Sequence, residues 1–508
     1  MNSTPSAPPL KMEALDLDIF QPSLTLGLGA ILVVLMSFLA FLSYTPSFDK
    51  KVPAFTTHTH PFIGAADFMW RKNHFWRASM EESKTGTFSF WVGKKHVVGL
   101  SGEAARKTFM DSPGLDFVGG ARIRGVSLLP NPPTPEIFRP GFHHGRSFFL
   151  RRMIDMQKTE MLKRCLPRFT SDSRGVFDEL AKDPSGITNP AVACWHVVFA
   201  HDVILFCSEE IVDDPKAFPN LLQMIDILQG LSSFTKVFLP WLPTMAGMTR
   251  ARRYKYMKSI FEPLVDRRMK RGAIRREDSL QLMIDNGDRR DLIIDFVIAA
   301  VIIAPTNSRI LTGQMLNVMA AYPSWQEKAY AEIKALAKSY AKDPEAPLAD
   351  QLDSMPLEAW EAGFPSIDLC FKELVRMWVA ISMMRRNISS RTDEFIPAGS
   401  FAIYNTTETH FSEELYPDPH TFKPERWLEG NANVQKQAYG FVGWGEGRHP
   451  CPGKRWAKLQ LNITIAYALA KFKWTSVDKT EHKKSTQESG HGVPLPSKLS
   501  KFSPREEN

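Results

Sequence analysis

Residues 444–453, with the sequence WGEGRHPCPG, surround a single cysteine with glycine and proline. The glycines, at 445, 447 and 453, let the backbone approach a flat ligand closely, and the prolines at 450 and 452 hold Cys451 in place. A helix predicted from about residue 454 points its N-terminus at the sulfur. Together with the basic side chains at 448, 454 and 455, this helix is expected to lower the pKa of the Cys451 thiol and favour the thiolate, the form of cysteine that binds metals.

Two charged motifs precede this loop in a fixed order. Glu373 and Arg376 form an E-x-x-R motif, whose spacing places both side chains on one face of a predicted helix. Such pairs are common and usually lie on the surface, where they contribute little. Arg426, within the sequence FKPERW, follows about 50 residues later, and the cysteine loop comes about 25 residues after that.

The loop resembles the signature of the cytochrome P450 family, aromatic-x-x-Gly-x-(Arg/His)-x-Cys-x-Gly, at Trp444, Gly447, His449, Cys451 and Gly453. Most members have phenylalanine at the first position, and the tryptophan form is similar to the branch of prostacyclin synthase and the sterol 7α-hydroxylases. The resemblance implies that Cys451 is the protein ligand to the iron of haem b, a thiolate that favours O–O cleavage. The alternative is a buried, inert cysteine in a Gly/Pro loop.

The same resemblance implies roles for several charged residues. Glu373, Arg376 and Arg426 would form a buried structural triad, in which the loss of one member leaves an unpaired buried charge. Arg385 and His449 match the positions that contact the haem propionates, for which arginine is well suited. A third propionate contact would come from Arg151, with Arg152 as the alternative, although the tryptophan that usually precedes this arginine is absent.

The central helix departs from the family pattern. Members usually carry (Ala/Gly)-Gly-x-(Asp/Glu)-Thr-(Thr/Ser), in which an acid and an alcohol deliver protons. Here residues 303–308 read IAPTNS, so Thr306 occupies the acid position and Asn307 the alcohol position, and Pro305 predicts a break or kink. Either Thr306, Asn307 and Ser308 still pass protons with ordered water, or the substrate brings its own activated oxygen.

An uncharged 22-residue stretch, 23–44, is long enough to cross a bilayer as a helix. Acidic residues precede it and Lys50 and Lys51 follow it, which predicts a cytoplasmic body. A retained anchor fits better than a signal peptide, because no basic n-region is present. We therefore expect a single-pass protein of the endoplasmic reticulum membrane.

The predicted fold class is mainly α with a small β domain, the cytochrome P450 fold, preceded by an N-terminal transmembrane helix. The predicted organisation is a lumenal segment (1–22), the transmembrane anchor (23–44), a proline-containing linker (45–64), a haem-thiolate catalytic domain (65–480) and a polar C-terminal tail (481–508). No repeat or long Gly/Ser linker divides the body.

The amino-acid composition limits the classes of binding partner that can be expected. The formal charge of +8 would suit an acidic protein, a lipid surface or nucleic acid, but no basic run interleaved with aromatics and no finger motif supports nucleic acid. The five cysteines follow no disulfide or zinc spacing and indicate reducing surroundings. The basic residues around Cys451 are expected to face an acidic partner, NADPH-cytochrome P450 reductase.

The predicted function is a monooxygenase that inserts one oxygen atom from O2 into a bulky apolar small molecule, such as a terpenoid, sterol or polyketide of secondary metabolism. One alternative is a reductase-independent isomerase or dehydratase that acts on a peroxide or epoxide. A second is a non-enzymatic haem-binding sensor at the membrane.

Overall fold

The computed structural model describes residues 22–44, 52–60, 64–121, 123, 136–139, 146–230, 242–379, 381–390, 395–428, 432–477 and 499–505. Helices dominate this part of the chain. In chain order they are α1 Pro22–Ser43, α2 Asp67–Trp70, α3 Lys72–Glu82, α4 Glu103–Asp111, α5 Phe117–Ala121, α6 Phe148–Asp155, α7 Thr159–Leu180, α8 Pro190–Ala193, α9 Trp195–Phe206, α10 Glu209–Val212, α11 Ala217–Gly230, α12 Met245–Met269, α13 Ser279–Asp285, α14 Arg290–Ile303, α15 Pro305–Ala321, α16 Pro323–Tyr340, α17 Leu348–Leu352, α18 Leu357–Ala362, α19 Pro365–Trp378, α20 Thr407–His410, α21 Ala432–Lys436 and α22 Lys454–Lys471.

Within the described residues, eight strands form two small sheets. The strands are β1 Thr87–Val92, β2 Lys95–Leu100, β3 Leu115–Asp116, β4 Ile187–Thr188, β5 Ser382–Asn387, β6 Phe401–Asn405, β7 Phe472–Ser476 and β8 Ser500–Pro504. The larger sheet has the order β1-β2-β6-β5-β3, with β2 and β6 parallel and the other neighbours antiparallel. The smaller sheet has the order β4-β8-β7, with both pairs antiparallel. Short 3-10 turns at Glu136–Phe138 and Pro424–Trp427 complete the described elements.

The helix that follows the cysteine loop lies at the centre of the helical body. At helical spacing Leu459, Ile463, Ala466 and Ala470 share one face of α22. In the structure all four are buried, and so is every other side chain from Leu459 to Ala470. The amide nitrogens of two polar residues among them are paired: Gln460 Nε2 donates to Val198 O at 3.0 Å, and Asn462 Nδ2 donates to Trp360 O at 2.9 Å.

The predicted anchor folds as a helix, α1, whose described side chains are largely exposed, with Val34 at 68%. The C-terminal end of α1 contacts the body. Lys94, in the turn between β1 and β2, donates from Nζ to Tyr44 O at 2.5 Å. Among the described residues, the stretch that is long and apolar enough to cross a membrane is Arg290–Ala321, and half of it is buried in the body. That stretch, α14 with α15, is a core element.

Two predicted boundaries are wrong for the residues that the structure describes. The sequence predicts a polar tail over 481–508, but within it β8 pairs with β7 and with β4 and therefore belongs to the body. Part of the predicted linker also joins the fold, since Thr56 N donates to Ser89 O at 3.0 Å beside β1. The polar composition of the tail segment did not indicate a strand. A strand joins a sheet through backbone hydrogen bonds, which polar residues form as well as apolar ones do. Residues 478–498 lie outside the described part.

Candidate active site at the cysteine loop

The cysteine loop is held by its own backbone and by α4. Cys451 N donates to Trp444 O at 2.6 Å, which closes the loop, and Arg448 N donates to Met110 O at 3.0 Å. Gly447 has φ of +62°, and a Cβ added there would lie 2.4 Å from Met110 O. A glycine is therefore required at this position because the loop turns tightly and lies close to α4. The sequence predicted a different reason, the approach of the backbone to a ligand.

The Cys451 residue is exposed to solvent on one side. The pKa of its thiol is raised by burial against the surrounding protein, and this outweighs the N–H of Gly453 and the charge of Lys454, which both lower it. The prediction of a lowered pKa is thus wrong for the protein alone. Two of the cations expected to help are engaged elsewhere: Arg448 Nε donates to Asp111 O at 2.7 Å, and Arg455 pairs with Glu361.

Arg385 and His449 meet beside the cysteine loop. Arg385, on β5, is 2% exposed, and its guanidinium lies 5.1 Å from the ring centres of both Phe109 and Phe117. The positive charge of Arg385 lowers the pKa of His449, adding to the larger effect of burial. His449 Nε2 lies 2.9 Å from Leu115 O, so in the neutral ring this nitrogen donates and Nδ1 is left as an acceptor.

Arg385 fits the cofactor that the family resemblance implies. Its Nη1 donates to Met384 O at 3.0 Å, while its buried Nε has no hydrogen-bond partner, and no carboxylate pairs with it within the described ranges. Burial lowers its pKa to about 10, which shows how poorly the cation is solvated, although the charge of Asp116 opposes this. An anionic haem propionate would satisfy these donors. The Cys451 sulfur, two residues from His449, would supply the iron ligand, so the residues present fit a haem.

The third predicted propionate contact remains with Arg151. Arg152 Nε and Nη2 donate to the two carboxylate oxygens of Asp288, at 2.7 and 2.6 Å, and its Nη1 donates to Asp155 at 2.8 Å. Arg151, by contrast, is exposed at the start of α6, where Ser147 caps the helix by accepting from Leu150 N. Arg152 is therefore held by two carboxylates, and the propionate contact of Arg151 stays a prediction.

Glu373, Arg376 and Arg426 come together in the core below the loop. Glu373 accepts from Arg376 through both oxygens, at 2.8 and 2.9 Å, and from Arg426 Nε at 3.0 Å. The side chains of Glu373 and Arg376 have no exposed surface. Trp427 Nε1 donates to the same carboxylate at 3.0 Å, a contact that the sequence motifs do not signal. The carboxylate thus receives donors on both oxygens, the condition under which a buried ion pair is tolerated.

The central helix is broken where the sequence predicts it. The helix α14 ends at Ile303 and α15 begins with Pro305, which takes the first helical position where no N–H is needed. Thr306 and Asn307 are exposed and Ser308 is half-buried. Thr306 Oγ1 donates to Ile302 O at 2.8 Å, so its hydroxyl is occupied in closing the break.

Trp444 packs its ring edge-on against Phe371, with 5.5 Å between the ring centres, beside the sulfur-bearing loop. Phe109 and Phe117 flank Arg385, and neither was predicted from the sequence. Single apolar residues carry no pattern that distinguishes them from ordinary core residues.

Comparison with known proteins agrees with this site. The family model for cytochrome P450 matches residues 53–504. The chain is 46% identical to cytochrome P450 monooxygenase AacuE of Aspergillus aculeatus, over 95% of this chain and 99% of the relative. It is also 46% identical to cytochrome P450 monooxygenase nsrP of Aspergillus novofumigatus, over 94% of this chain and 96% of the relative.

Among solved structures, retinoic acid-bound cyanobacterial CYP120A1 superposes with a TM-score of 0.67 at 18% identity, over 89% of this chain and 99% of that one, which shows a shared fold. The predicted family and the P450 fold are confirmed, and with them a haem cofactor, an organic substrate and a reductase as redox partner. The chain belongs to the cytochrome P450 family and is an oxidoreductase of its monooxygenase class.

Proposed function

We propose that this monooxygenase inserts one oxygen atom from O2 into a bulky apolar small molecule, a terpenoid, sterol or polyketide of fungal secondary metabolism. Two electrons from NADPH arrive through NADPH-cytochrome P450 reductase, and the second oxygen atom leaves as water. The observation that carries the proposal is that His449, two residues before Cys451, lies near the buried Arg385, which has no carboxylate partner among the described residues. The names of the fungal relatives support the reaction type.

The protein supplies the ligand, the anion contacts and the proton path. Haem b, when bound, supplies the oxidising chemistry through its iron. Cys451 would hold that iron, and Arg385 and Arg151 would hold the propionates. Asn307, exposed just after the helix break, and Ser308 would pass protons, with Thr306 joining only when its hydroxyl leaves the Ile302 carbonyl.

A reductase-independent rearrangement of a peroxide or epoxide is the second candidate. It is favoured by one observation: the residue at the acid position, Thr306, has no carboxylate and its hydroxyl already donates within the helix. A substrate that brings its own activated oxygen would need no proton delivery from this helix.

One experiment separates these candidates. The purified protein is offered apolar terpenoid and polyketide substrates with reductase, NADPH and O2, and in parallel organic hydroperoxides without reductase. Product that requires NADPH supports the monooxygenase, whereas hydroperoxide conversion alone supports the rearrangement. The haem site is checked through the red-shifted Soret band of the carbonyl-bound ferrous thiolate, which Cys451→Ser should abolish. The matched control, Cys165→Ser, alters a buried cysteine of α7 and should keep the band. Absence of that band in the unaltered protein would refute the proposal.

The reductase is proposed to dock near three neighbouring lysines. Burial lowers the pKa of Lys372, and the charges of Lys454 and Lys458 lower it further, so the three cations lie close together. Lys458 is partly neutralised by Asp368 at 2.8 Å. Lys454→Glu should therefore slow electron transfer at low salt more than Lys458→Glu does. Equal rates for both variants and the unaltered protein would contradict this docking site.

The exposed apolar surface of α1 supports a role as a membrane anchor, with the body on the cytoplasmic face of the endoplasmic reticulum. Fractionation after alkaline carbonate extraction tests this proposal: the full chain should stay with membranes, and a chain lacking residues 1–44 should be released in larger part.

A further inference from the structure

Gln157 joins three parts of the site although it belongs to no described helix. It lies in the connection between α6 and α7 and is 5% exposed. Its Nε2 donates to Met153 O at 2.7 Å and to Pro452 O at 2.8 Å, and its Oε1 accepts from Trp456 N at 3.2 Å. One amide therefore ties the end of α6 to the cysteine loop and to the first turn of α22.

The contact with Pro452 reaches the sulfur through one peptide unit. The carbonyl of Pro452 and the N–H of Gly453 belong to the same peptide group, and that N–H is near enough to the Cys451 sulfur to lower the pKa of its thiol. A hydrogen bond accepted at the carbonyl polarises the peptide and strengthens donation from its N–H. The chain of donors therefore runs from the Gln157 amide, through the Pro452–Gly453 peptide, to the sulfur.

The contact with Trp456 completes the start of α22. The first N–H groups of a helix lack intrahelical acceptors, and the residue before the first turn usually supplies one. Here that residue is Gly453, which has no side chain to do so. Gln157 Oε1 accepts from Trp456 N in its place, and Arg455 Nη1 donates back to Gln157 O at 2.8 Å. Gln157 therefore supplies an acceptor to the first turn of α22, next to the cysteine loop.

We propose that Gln157 is a positioning residue for the Cys451 thiolate, which strengthens the hydrogen bond at the sulfur and so limits electron donation to the haem iron. This inference rests on the proposed ligation of haem by Cys451. Hydrogen bonds to a ligating sulfur are one of the means by which a protein sets the reduction potential of a metal centre. Loss of the Gln157 donor should leave the sulfur more electron-rich and stabilise the ferric over the ferrous state.

The test compares Gln157→Met with Gln326→Met by spectroelectrochemical titration of the purified holoprotein. Gln326 is a matched control, because it is also buried, donates to Met319 O and Trp474 O, and accepts from Trp474 N. Both variants should lose similar thermal stability. Only Gln157→Met should shift the ferric/ferrous potential to more negative values and move the Soret band of the carbonyl-bound ferrous form.

Equal potentials in Gln157→Met and Gln326→Met would overturn the inference. If Gln157→Met does not retain haem, Gln157→Glu serves instead, since it keeps the acceptor for Trp456 N and loses only the donor. Its added negative charge and its lost donor both lower the potential, so an unchanged potential in that variant also overturns the inference. A normal thiolate Soret band in the unaltered protein with no shift in either variant refutes only the role of Gln157. Absence of the band in the unaltered protein refutes the proposed function as well.

Discussion

A buried carboxyl group behind the cysteine loop should make the protein less stable as the pH rises. Asp202, on α9, has no exposed surface and accepts from Trp456 Nε1 at 2.7 Å and from Gln460 Nε2 at 3.3 Å, while its second oxygen has no partner among the residues that the structure describes. Burial raises its pKa from 3.8 to about 7, although these two donors lower it. The neighbouring His201 is kept neutral, because burial lowers its pKa to about 3.

The size of the effect follows from that pKa difference. Because the folded pKa is raised, the contribution to stability is complete below the ordinary value of 3.8 and is lost as the pH rises toward about 7. Each pH unit in that window is worth about 1.4 kcal/mol, so ionising Asp202 should cost roughly 4 kcal/mol. Asp202→Asn keeps an acceptor for Trp456 Nε1 and cannot ionise, and should therefore lack this pH dependence.

Thermal unfolding followed by circular dichroism from pH 5 to pH 8 measures the difference. Near pH 5 the unaltered protein and Asp202→Asn should unfold at more similar temperatures, and by pH 8 the variant should unfold several degrees higher. Asp183→Asn, an exposed replacement between α7 and β4, is the matched control and should follow the unaltered protein throughout. The same temperature difference between Asp202→Asn and the unaltered protein at pH 5 and pH 8 would refute the reasoning.

Three further predictions concern the core, the haem contacts and the central helix. Arg376→Met should lower the free energy of unfolding in urea by roughly 3–5 kcal/mol, because it leaves Glu373 buried with a missing partner; a loss below 1 kcal/mol would contradict the buried triad. Arg385→Leu should lower the haem-to-protein ratio after gel filtration, whereas Arg152→Leu should lower stability and leave that ratio unchanged; equal haem loss would argue against the assignment. Pro305→Ala should lower the unfolding temperature slightly, because proline needs no N–H at the first helical position and restricts the unfolded chain; a higher temperature would show that proline is strained at the break.

The family and the cysteine loop could be predicted from the sequence because their residues lie close together in a fixed pattern. The order of Glu373, Arg376 and Arg426 was also informative, because it matches the family pattern, and the resemblance implies a buried triad at these positions. The helix break at Pro305 followed from the geometry of proline alone.

What the sequence could not supply depends on contacts between distant segments. The choice between Arg151 and Arg152 needed the position of Asp288, which lies on a connection far along the chain. The raised pKa of Cys451 follows from burial by the folded body, which local charges do not report. Gln157 belongs to no sequence motif. A single glutamine after a helix is equally compatible with an exposed loop, so its role could not be predicted.

The place of β8 within its sheet has a consequence for how the protein is made. It is the middle strand, so β4 and β7 have no contact with each other through the sheet until β8 lies between them. During synthesis, β4 leaves the ribosome long before β8. Until β8 has been made, the backbone N–H and C=O groups of β4 lack their partners in the sheet. We therefore expect that a premature stop before residue 500 leaves a nascent chain that the cell's quality control degrades.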